Sequence, residues 1–365
     1  MNNSILRTLT PVHIGSGKEL QSNIEYLYDG SKIAVIDEQK VLNLIGSENI
    51  DQWVSIIQKD ESLLDYLKHY TNNFSIDRVA HRVIDIPEGE QSIDKHLSLK
   101  EQMHNGKGQP MIPGSSIKGA IRTALLTRKI IQEQSNIEVA ELKNKKNKWT
   151  SKNIEKKLLG DTRNDPLRFI RISDVHFAPD TLALDMEIMN LQNDGWRFKR
   201  GGDQLTELIW GEDEASIKIG FNGELISANQ KEGYLKREFP WLNNLSVLFN
   251  EINKHTAWLV EKEILFWKEE EFSHDAIDQY LSFLEDIQTQ LNELDTDREM
   301  ILRVGHGSGW HFITGGWAKY LENLLSDEEF RQLSSLLGKR GASTFPKTRK
   351  MESIGELLGF IKISI

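Results

Sequence analysis

A lysine and an arginine four residues apart at the start of a helix are suited to holding a phosphate. This chain carries such a pair. The run Ile112-Pro113-Gly114-Ser115-Ser116-Ile117-Lys118-Gly119-Ala120-Ile121-Arg122-Thr123-Ala124-Leu125-Leu126 reads as a tight turn emptying into a helix. Ser115 or Ser116 is placed to cap it by accepting from a free first-turn N–H. Ile117, Ala120, Ile121, Ala124 and Leu125 recur at helical spacing and predict one apolar face. Lys118 and Arg122 share a different face. The first turn itself offers unpaired N–H groups and about half a positive charge, which favours an anion. The same run also fits a capped core helix with a solvated basic stripe, so other segments must decide.

Three more segments have similar character. Gly15-Ser16-Gly17-Lys18 follows a strand-like stretch, Gly305-His306-Gly307-Ser308-Gly309-Trp310 follows Arg303 and Val304, and Lys347 and Arg349 lie in Phe345-Pro346-Lys347-Thr348-Arg349. Glycine loops let backbone N–H groups approach phosphates closely. Lys18, Lys118, Arg122, Lys347 and Arg349 would supply charge, and Ser16, Ser115, Ser116 and Ser308 would donate to a phosphate or 2′-hydroxyl. Trp310 and His306 are candidates to stack on a base. The competing reading is that Gly15, Gly17, Gly305 and Gly307 only permit tight turns and that Trp310 is core.

Nucleotide-binding motifs do not account for these loops. After Gly119, where a P-loop needs Lys and Ser or Thr, come Ala120 and Ile121; the residue five before Gly17 is Val12, and Glu19 follows Lys18. Trp310 occupies the place that a dinucleotide fingerprint gives to Gly or Ala. A metal-dependent or acid/base RNA endonuclease is the alternative. His13, His81, His306 and His311 lie near the motifs, and Asp174 with His176, or Asp185 with Glu187, can be drawn as a metal site. None of these has a spacing that dictates metal geometry. No catalytic residue, metal or cofactor is therefore assigned. A third reading is a protein-only assembly module that grips neighbours through helices 240–294 and touches nucleic acid little.

At 365 residues the chain has room for roughly two domains. It has no cysteine, which removes disulfides and thiolate zinc sites and points to the cytoplasm. No apolar run approaches the roughly 20 residues of a membrane span, so no membrane partner is expected. The net charge of −10 is concentrated: Glu261 to Glu299 holds thirteen acids and three bases, and the remainder sums to zero. Within that remainder Lys143 to Lys157 holds seven lysines and one glutamate, and Gly338 to Lys350 holds five bases and no acid. Screening acts over about 8 Å at cellular salt, so local basic patches outweigh a distant acidic one.

The elements that must position these residues read as follows. A strand at 4–12 precedes the loop 13–18, and a hairpin at 23–36 turns at Asp29-Gly30. Helices fill 38–70, strands 78–86 and 97–102, a loop 105–108, and a helix 115–133. The lysine-rich stretch 143–157 reads as an exposed insertion or linker. A second series begins at Leu167, with strands near 168–175, 182–190, 204–210 and 215–221. Amphipathic helices at 240–268 and 275–294 carry the acidic block outward. A strand at 300–304 enters the glycine loop, a helix starts at Trp310, and the chain ends in a strand at 358–365. Each half is an α+β mixture.

In this order and at these spacings, the segments resemble the RAMP superfamily of CRISPR-associated proteins. The opening Leu9-Thr10-Pro11-Val12-His13-Ile14-Gly15-Ser16-Gly17, the helix start 113–122, the loop 303–310 and the tail 345–349 look like the fifth-subunit family of the Csm series, from type III-A effector complexes. Arg168 to Asp174 and Glu207 to Gly211 fit more loosely. The resemblance implies two ferredoxin-like (RRM-like) RAMP domains with helical insertions, 1–166 and 167–365, the second interrupted at about 240–294. It implies a non-catalytic RNA-binding subunit that caps the backbone filament at the 3′ end of the guide RNA and supports guide 3′-end maturation and target RNA interference. Partners would be CRISPR guide RNA, target RNA, neighbouring Csm backbone subunits and recruited host nucleases. The RNA-binding set becomes Gly15, Ser16, Gly17, Lys18, Ser115, Ser116, Lys118, Gly119, Arg122, Arg303, Gly305, His306, Gly307, Ser308, Gly309, Trp310, Lys347 and Arg349. His306 stands where an aromatic such as Trp is expected, and the acidic block matches no RNA-binding feature of the family. Sister backbone subunits cut target RNA with a loop aspartate, and Asp85 in His81-Arg82-Val83-Ile84-Asp85-Ile86-Pro87 is nearest by position.

Overall fold

The two ends of the chain meet in one antiparallel sheet. Strand β1 (Asn2–Thr8) lies between β13 (Glu214–Phe221) and β16 (Phe360–Ser364). The full order is β14 (Glu299–Arg303), β16, β1, β13, β8 (Ile170–Ile172). Alternation sets the buried side: Ser4, Leu6 and Thr8 point inward and Ile5 outward. Two helices cover that side, α4 (Gly114–Gln132) and α7 (Leu245–Glu269). Their Ile117, Ile121, Phe249 and Ile252 pack with Leu6, Ile217 and Ile361 in one core.

The computed structural model of the protein describes residues 2–71, 73–87, 97–133, 137–143, 150, 152–161, 163–192, 195–235, 238–270, 274–309, 312, 325–326, 328–329, 348–352 and 355–365. Trp310, His311 and Lys347 lie outside them, as do the helix expected from Trp310 and residues 144–149 and 151 of the lysine-rich stretch.

A second sheet carries nine strands. Seven run in the order β2 (Gly15–Leu20), β6 (Leu99–Gln102), β12 (Gln204–Leu208), β10 (Leu182–Gln192), β5 (Ala80–Asp85), β4 (Lys32–Ile36), β3 (Tyr26–Tyr28). The far half of the long β10 pairs with β15 (Thr348–Glu352) and β11 (Gly195–Phe198). A small ladder joins β7 (Met111–Ile112) to β9 (Val175–His176). Helices α1 (Glu38–Ile45), α2 (Ile50–Gln58) and α3 (Leu63–Lys68) form a local core with the β3–β4 hairpin. Helix α5 (Lys152–Leu159) packs on α4, α6 (Gly223–Lys231) follows β13, and α8 (Asp275–Glu293) pairs with α7.

The α+β expectation, the hairpin at Asp29-Gly30, the helices between 38 and 70, the helix at 115–133 and the long pair 240–294 are borne out. Three expectations are corrected. The segment from Gly15 is not a loop but the edge strand β2. The strand expected at 168–175 is a tight 3-10 turn at Pro166–Phe169, started by Asp165 accepting from Leu167 N–H, followed by the separate β8 and β9. The lysine-rich stretch is not simply a linker, because its second half is α5, whose Ile154, Leu158 and Leu159 are buried in the main core. Each of the two larger sheets takes strands from both sides of residue 166.

His255, on α7, is buried in the helix–sheet core, and its Nε2 has no hydrogen-bond partner among the described residues. Burial, with Arg128 adding to it, pushes its pKa down from 6.5 to about 3. Between those values the unfolded chain binds the proton and the folded chain does not, so stability falls as pH drops through that window. Replacing His255 by Leu should remove about one proton from this dependence, worth up to about 1.4 kcal/mol per pH unit. Urea melts of both proteins at about pH 7 and about pH 5 check this; equal acid sensitivity would refute it.

Candidate nucleic-acid interface

The signature helix start is built for close packing first. Pro113 holds the cap position in extended backbone, and neither Ser115 nor Ser116 caps the helix. The reason is a carboxylate from elsewhere: Gly114 N–H donates to Asp174 Oδ1 at 2.8 Å. A Cβ at Gly114 would lie 2.3 Å from Ile172 O. The glycine is thus required by the approach of α4 to β8, and part of the anion-seeking helix end is already satisfied. Arg122 is corrected as a free cation, since its guanidinium meets Asp165 at 2.5 Å and Glu155 at 3.4 Å. Lys118 makes no ion pair among the described residues; burial lowers its pKa and Asp165 opposes that. Lys118, Gly119 and Ser115 line an open cavity of about 770 Å³ between α4 and α5, with Lys152 and Lys156 on its far wall.

The glycine segments 15–18 and 305–309 do come together. Gly305, at φ +79°, packs so tightly on the chain that a Cβ would lie 2.4 Å from His13 O. His306 N–H donates to the same carbonyl at 2.9 Å. The two imidazoles meet edge-on with centroids 5.8 Å apart. His13 is buried, and its Nδ1 donates to Glu207 O at 2.6 Å. Ser16 Oγ donates to Glu101 at 2.7 Å, while Gly15, Gly17 and Lys18 are exposed on β2. Gly307 also takes positive φ and packs on Leu358; Gly309 takes positive φ, and none of the described residues would crowd a Cβ there.

Three predicted RNA contacts instead face inward. Ser308 is buried and donates to Gly305 O at 3.0 Å, closing the loop on itself. Arg303 is buried; its Nε donates to Leu358 O at 2.7 Å, and its guanidinium lies over the Phe312 and Phe360 rings. Arg349 is buried in a two-point ion pair with Glu263 of α7, against Phe266 and Trp267.

The residues that carry charge at this place are neighbours the sequence reading passed over. Lys350 Nζ lies 3.0 Å from His306 Nε2 and 3.3 Å from Gln204 Oε1. Desolvation, then repulsion from Lys100, lowers the Lys350 pKa to about 8, with Asp185 pulling the other way. His306 is held below its usual value by desolvation and by Lys350 and Lys100; His13 is lowered mainly by burial. Two lysines that repel each other beside two neutral imidazoles form a place that gains stability from an anion. The missed signal was alternation: Arg349 and Lys350 are consecutive on a strand, so they face opposite sides. Lys100 alternates with buried Leu99 on β6.

Among the described residues no group of three His, Asp or Glu is arranged to hold a metal. Asp174 is committed to Gly114 N–H, and His176 Nδ1 lies 3.2 Å from the Asn105 amide. Asp85 is exposed at the end of β5, its own N–H donating to Thr181 O at 2.9 Å.

A model of the RAMP superfamily matches residues 5–312. The chain belongs to the RAMP superfamily. It is similar to the CRISPR system protein Csm5 of Enterococcus italicus, 28% identical over 144 residues, or 33% of this chain and 41% of that protein. Csm5 of Streptococcus thermophilus is 27% identical over 131 residues, or 33% of this chain and 36% of that protein. The matched stretch thus spans well under half of either relative. Over its full length the fold agrees with a chain in the cryo-EM structure of a Csm–crRNA–target RNA ternary complex of a type III-A system, with TM-score 0.70 at 18% identity. It also agrees with the crystal structure of T. onnurineus Csm5, with TM-score 0.65 at 16% identity over 98% of this chain and 99% of that one. The expected family and the narrower likeness to the fifth Csm subunit are borne out. No helix of this RAMP protein, among the described residues, is long and apolar enough to cross a membrane.

Gly114 separates the packing role of the signature from a ligand role. Gly114→Ala should destabilise the fold by about 1–3 kcal/mol, because the added methyl drives α4 away from β8. A urea midpoint equal to wild type would show that the helix start is not pinned there.

Proposed function

We propose that this chain is a non-catalytic, RNA-binding subunit of a type III-A CRISPR effector complex. In this reading it caps the filament of backbone subunits at the 3′ end of the guide RNA, supports guide 3′-end maturation through recruited host nucleases, and assists target RNA interference. Its strands would form two ferredoxin-like RAMP domains, 1–166 and 167–365, interleaved in the sheets. The observation that carries the reading is the place where Lys100 and Lys350 repel each other beside His306, next to the exposed edge strand β2 with Lys18. Such a place holds a phosphate without reading a base. The edge strand adds unpaired N–H groups for a backbone or a neighbouring subunit. Trp310 and Lys347 belong to the same proposal by resemblance alone. The likeness to Csm5 proteins and to a chain of a Csm–crRNA complex supports the assignment. Among the described residues no assembled set of groups favours the nuclease alternative.

Co-expression of the tagged chain with its genomic neighbours, followed by sequencing of bound RNA, tests the role. Short RNAs with one fixed 5′ repeat-derived handle and clustered 3′ ends are expected. Random RNA, or none, with folded protein would overturn the assignment.

Lys18, Lys100, Lys118 and Lys350 make no ion pair among the described residues. If these four hold phosphates, log affinity for single-stranded RNA should fall against log salt with a slope near −3, about −0.7 per phosphate. Lys100→Ala and Lys350→Ala should each reduce the slope by about 0.7 and weaken binding uniformly across sequences. A shallow slope that neither variant changes would favour protein-only docking.

A further inference from the structure

Strand β15 faces two environments at once. On one side Arg349 enters the core and forks onto Glu263 of α7, through Nε to Oε1 and through its second amino group to Oε2 at 3.0 Å. On the other side Lys350 reaches His306 and Gln204. Within the sheet, β15 pairs with β10, Lys350 opposite Ile188 and Arg349 opposite Met189. Among the described residues β15 has one neighbouring strand, and a slip of one residue would exchange its two faces, so its buried face must hold the register. Two residues of that face do so: Met351 is fully buried in the core under α7 and α8, and Arg349 forks onto Glu263, whose carboxylate is held from other sides as well. Trp267 Nε1 donates to Glu263 Oε1 at 3.1 Å, and the Tyr280 hydroxyl donates to it at 3.2 Å. The glycine loop is tied to the same core, since the Arg303 guanidinium reaches Gly307 O at 3.4 Å and lies close enough to Glu263 to feel its charge.

We infer that Glu263 is a positioning residue for the anion site: by fixing Arg349 it holds, together with buried Met351, the register of β15 and so places Lys350 beside His306. This rests on the reading of Lys350 as a phosphate-holding group. It gives the α7–α8 insertion a definite part in binding without any contact between its acidic face and RNA.

The test is a double-mutant cycle on the full-length chain, titrated with a fluorescein-labelled single-stranded RNA. Glu263→Gln keeps the shape of the side chain, removes its charge and replaces one of the two oxygens that accept from Arg349 by a donor. It should weaken binding about tenfold, the scale of one charged hydrogen bond. Lys350→Ala should do the same, and the double variant should bind within about twofold of Lys350→Ala alone, because the two residues act through one contact. In Glu263→Gln the Lys350 ammonium, followed by NMR of the ¹³C-methylated protein, should titrate higher, from about 8 toward 10.5. Losses that multiply in the double variant, or an unmoved Lys350 titration, would overturn the positioning role. So would wild-type binding by Glu263→Gln while Lys350→Ala is impaired. If Lys350→Ala itself binds as wild type, the anion-site reading fails and this inference with it. Should Glu263→Gln not fold, Arg349→Lys keeps a buried charge pair while losing the fork, and the same cycle and outcomes apply.

Discussion

One fully buried carboxylate, Glu207, organises the region on which the candidate interface is built. Its two oxygens accept from Arg82 at 3.0 and 2.9 Å, from the Thr181 hydroxyl at 3.0 Å and from Gln102 N–H at 3.1 Å. A charge this deep is tolerated only when paired and fully hydrogen-bonded, so strands β5, β6 and β12 are committed to one arrangement. The same residue's carbonyl holds His13, and the His13 carbonyl holds His306. From His306 the next step is Lys350. Removing the carboxylate would therefore loosen a chain of contacts reaching from the middle of the large sheet to its surface. Glu207 falls in the stretch 207–211 that fits the family pattern only loosely, yet it is the more demanding position physically.

Much of the fold was legible because local signals agreed with tertiary need. The Asp29-Gly30 hairpin, the α4 periodicity and the long amphipathic pair each follow from patterns that a neighbouring core then rewards. Segment 13–18 was misread for a physical reason. Two glycines and a serine describe a loop by composition, but β2 is an edge strand whose hydrogen bonds come from β6, distant in sequence. Glycine at 15 spares a contact with the His13 ring, which a Cβ would approach to 3.2 Å. The separation of β8 from β9 was hidden for a similar reason, since Asp174 leaves the ladder to serve the start of α4.

The site was legible as a place and not as a set of ligands. Segments 13–18 and 305–309 both belonged to the expected RNA-binding set, and they touch. What sequence could not supply was the sign of each side chain's direction. Arg122, Arg303 and Arg349 looked like ligands because they are basic and stand in motif segments. All three are consumed by the frame: Arg122 by Asp165 and Glu155, Arg303 by carbonyls and aromatic faces, Arg349 by Glu263. The planar guanidinium, with its rigid fork and weak hydration, suits burial far better than an ammonium does. The lysines 18, 100, 118 and 350 keep their charge at or near the surface. At these positions arginine builds the frame, and the four lysines stay outside ion pairs among the described residues.

That division also resolves the odd charge balance. A block of net −10 in a protein proposed to bind RNA looks self-defeating if charge is summed over the chain. Its exposed acids, among them Glu261, Glu269, Asp278 and Asp286, lie on the outer faces of α7 and α8, where screening over about 8 Å confines their influence. Among the described residues Glu263 is the buried acid of the block, and it reaches β15. The insertion therefore presents two chemistries: an outer face that repels RNA, and an inner carboxylate that holds the strand carrying Lys350. On the proposed reading, an acidic exterior there would keep the nucleic acid from spreading over the insertion and leave the lysine-bearing edge of the large sheet as the place where a strand would settle.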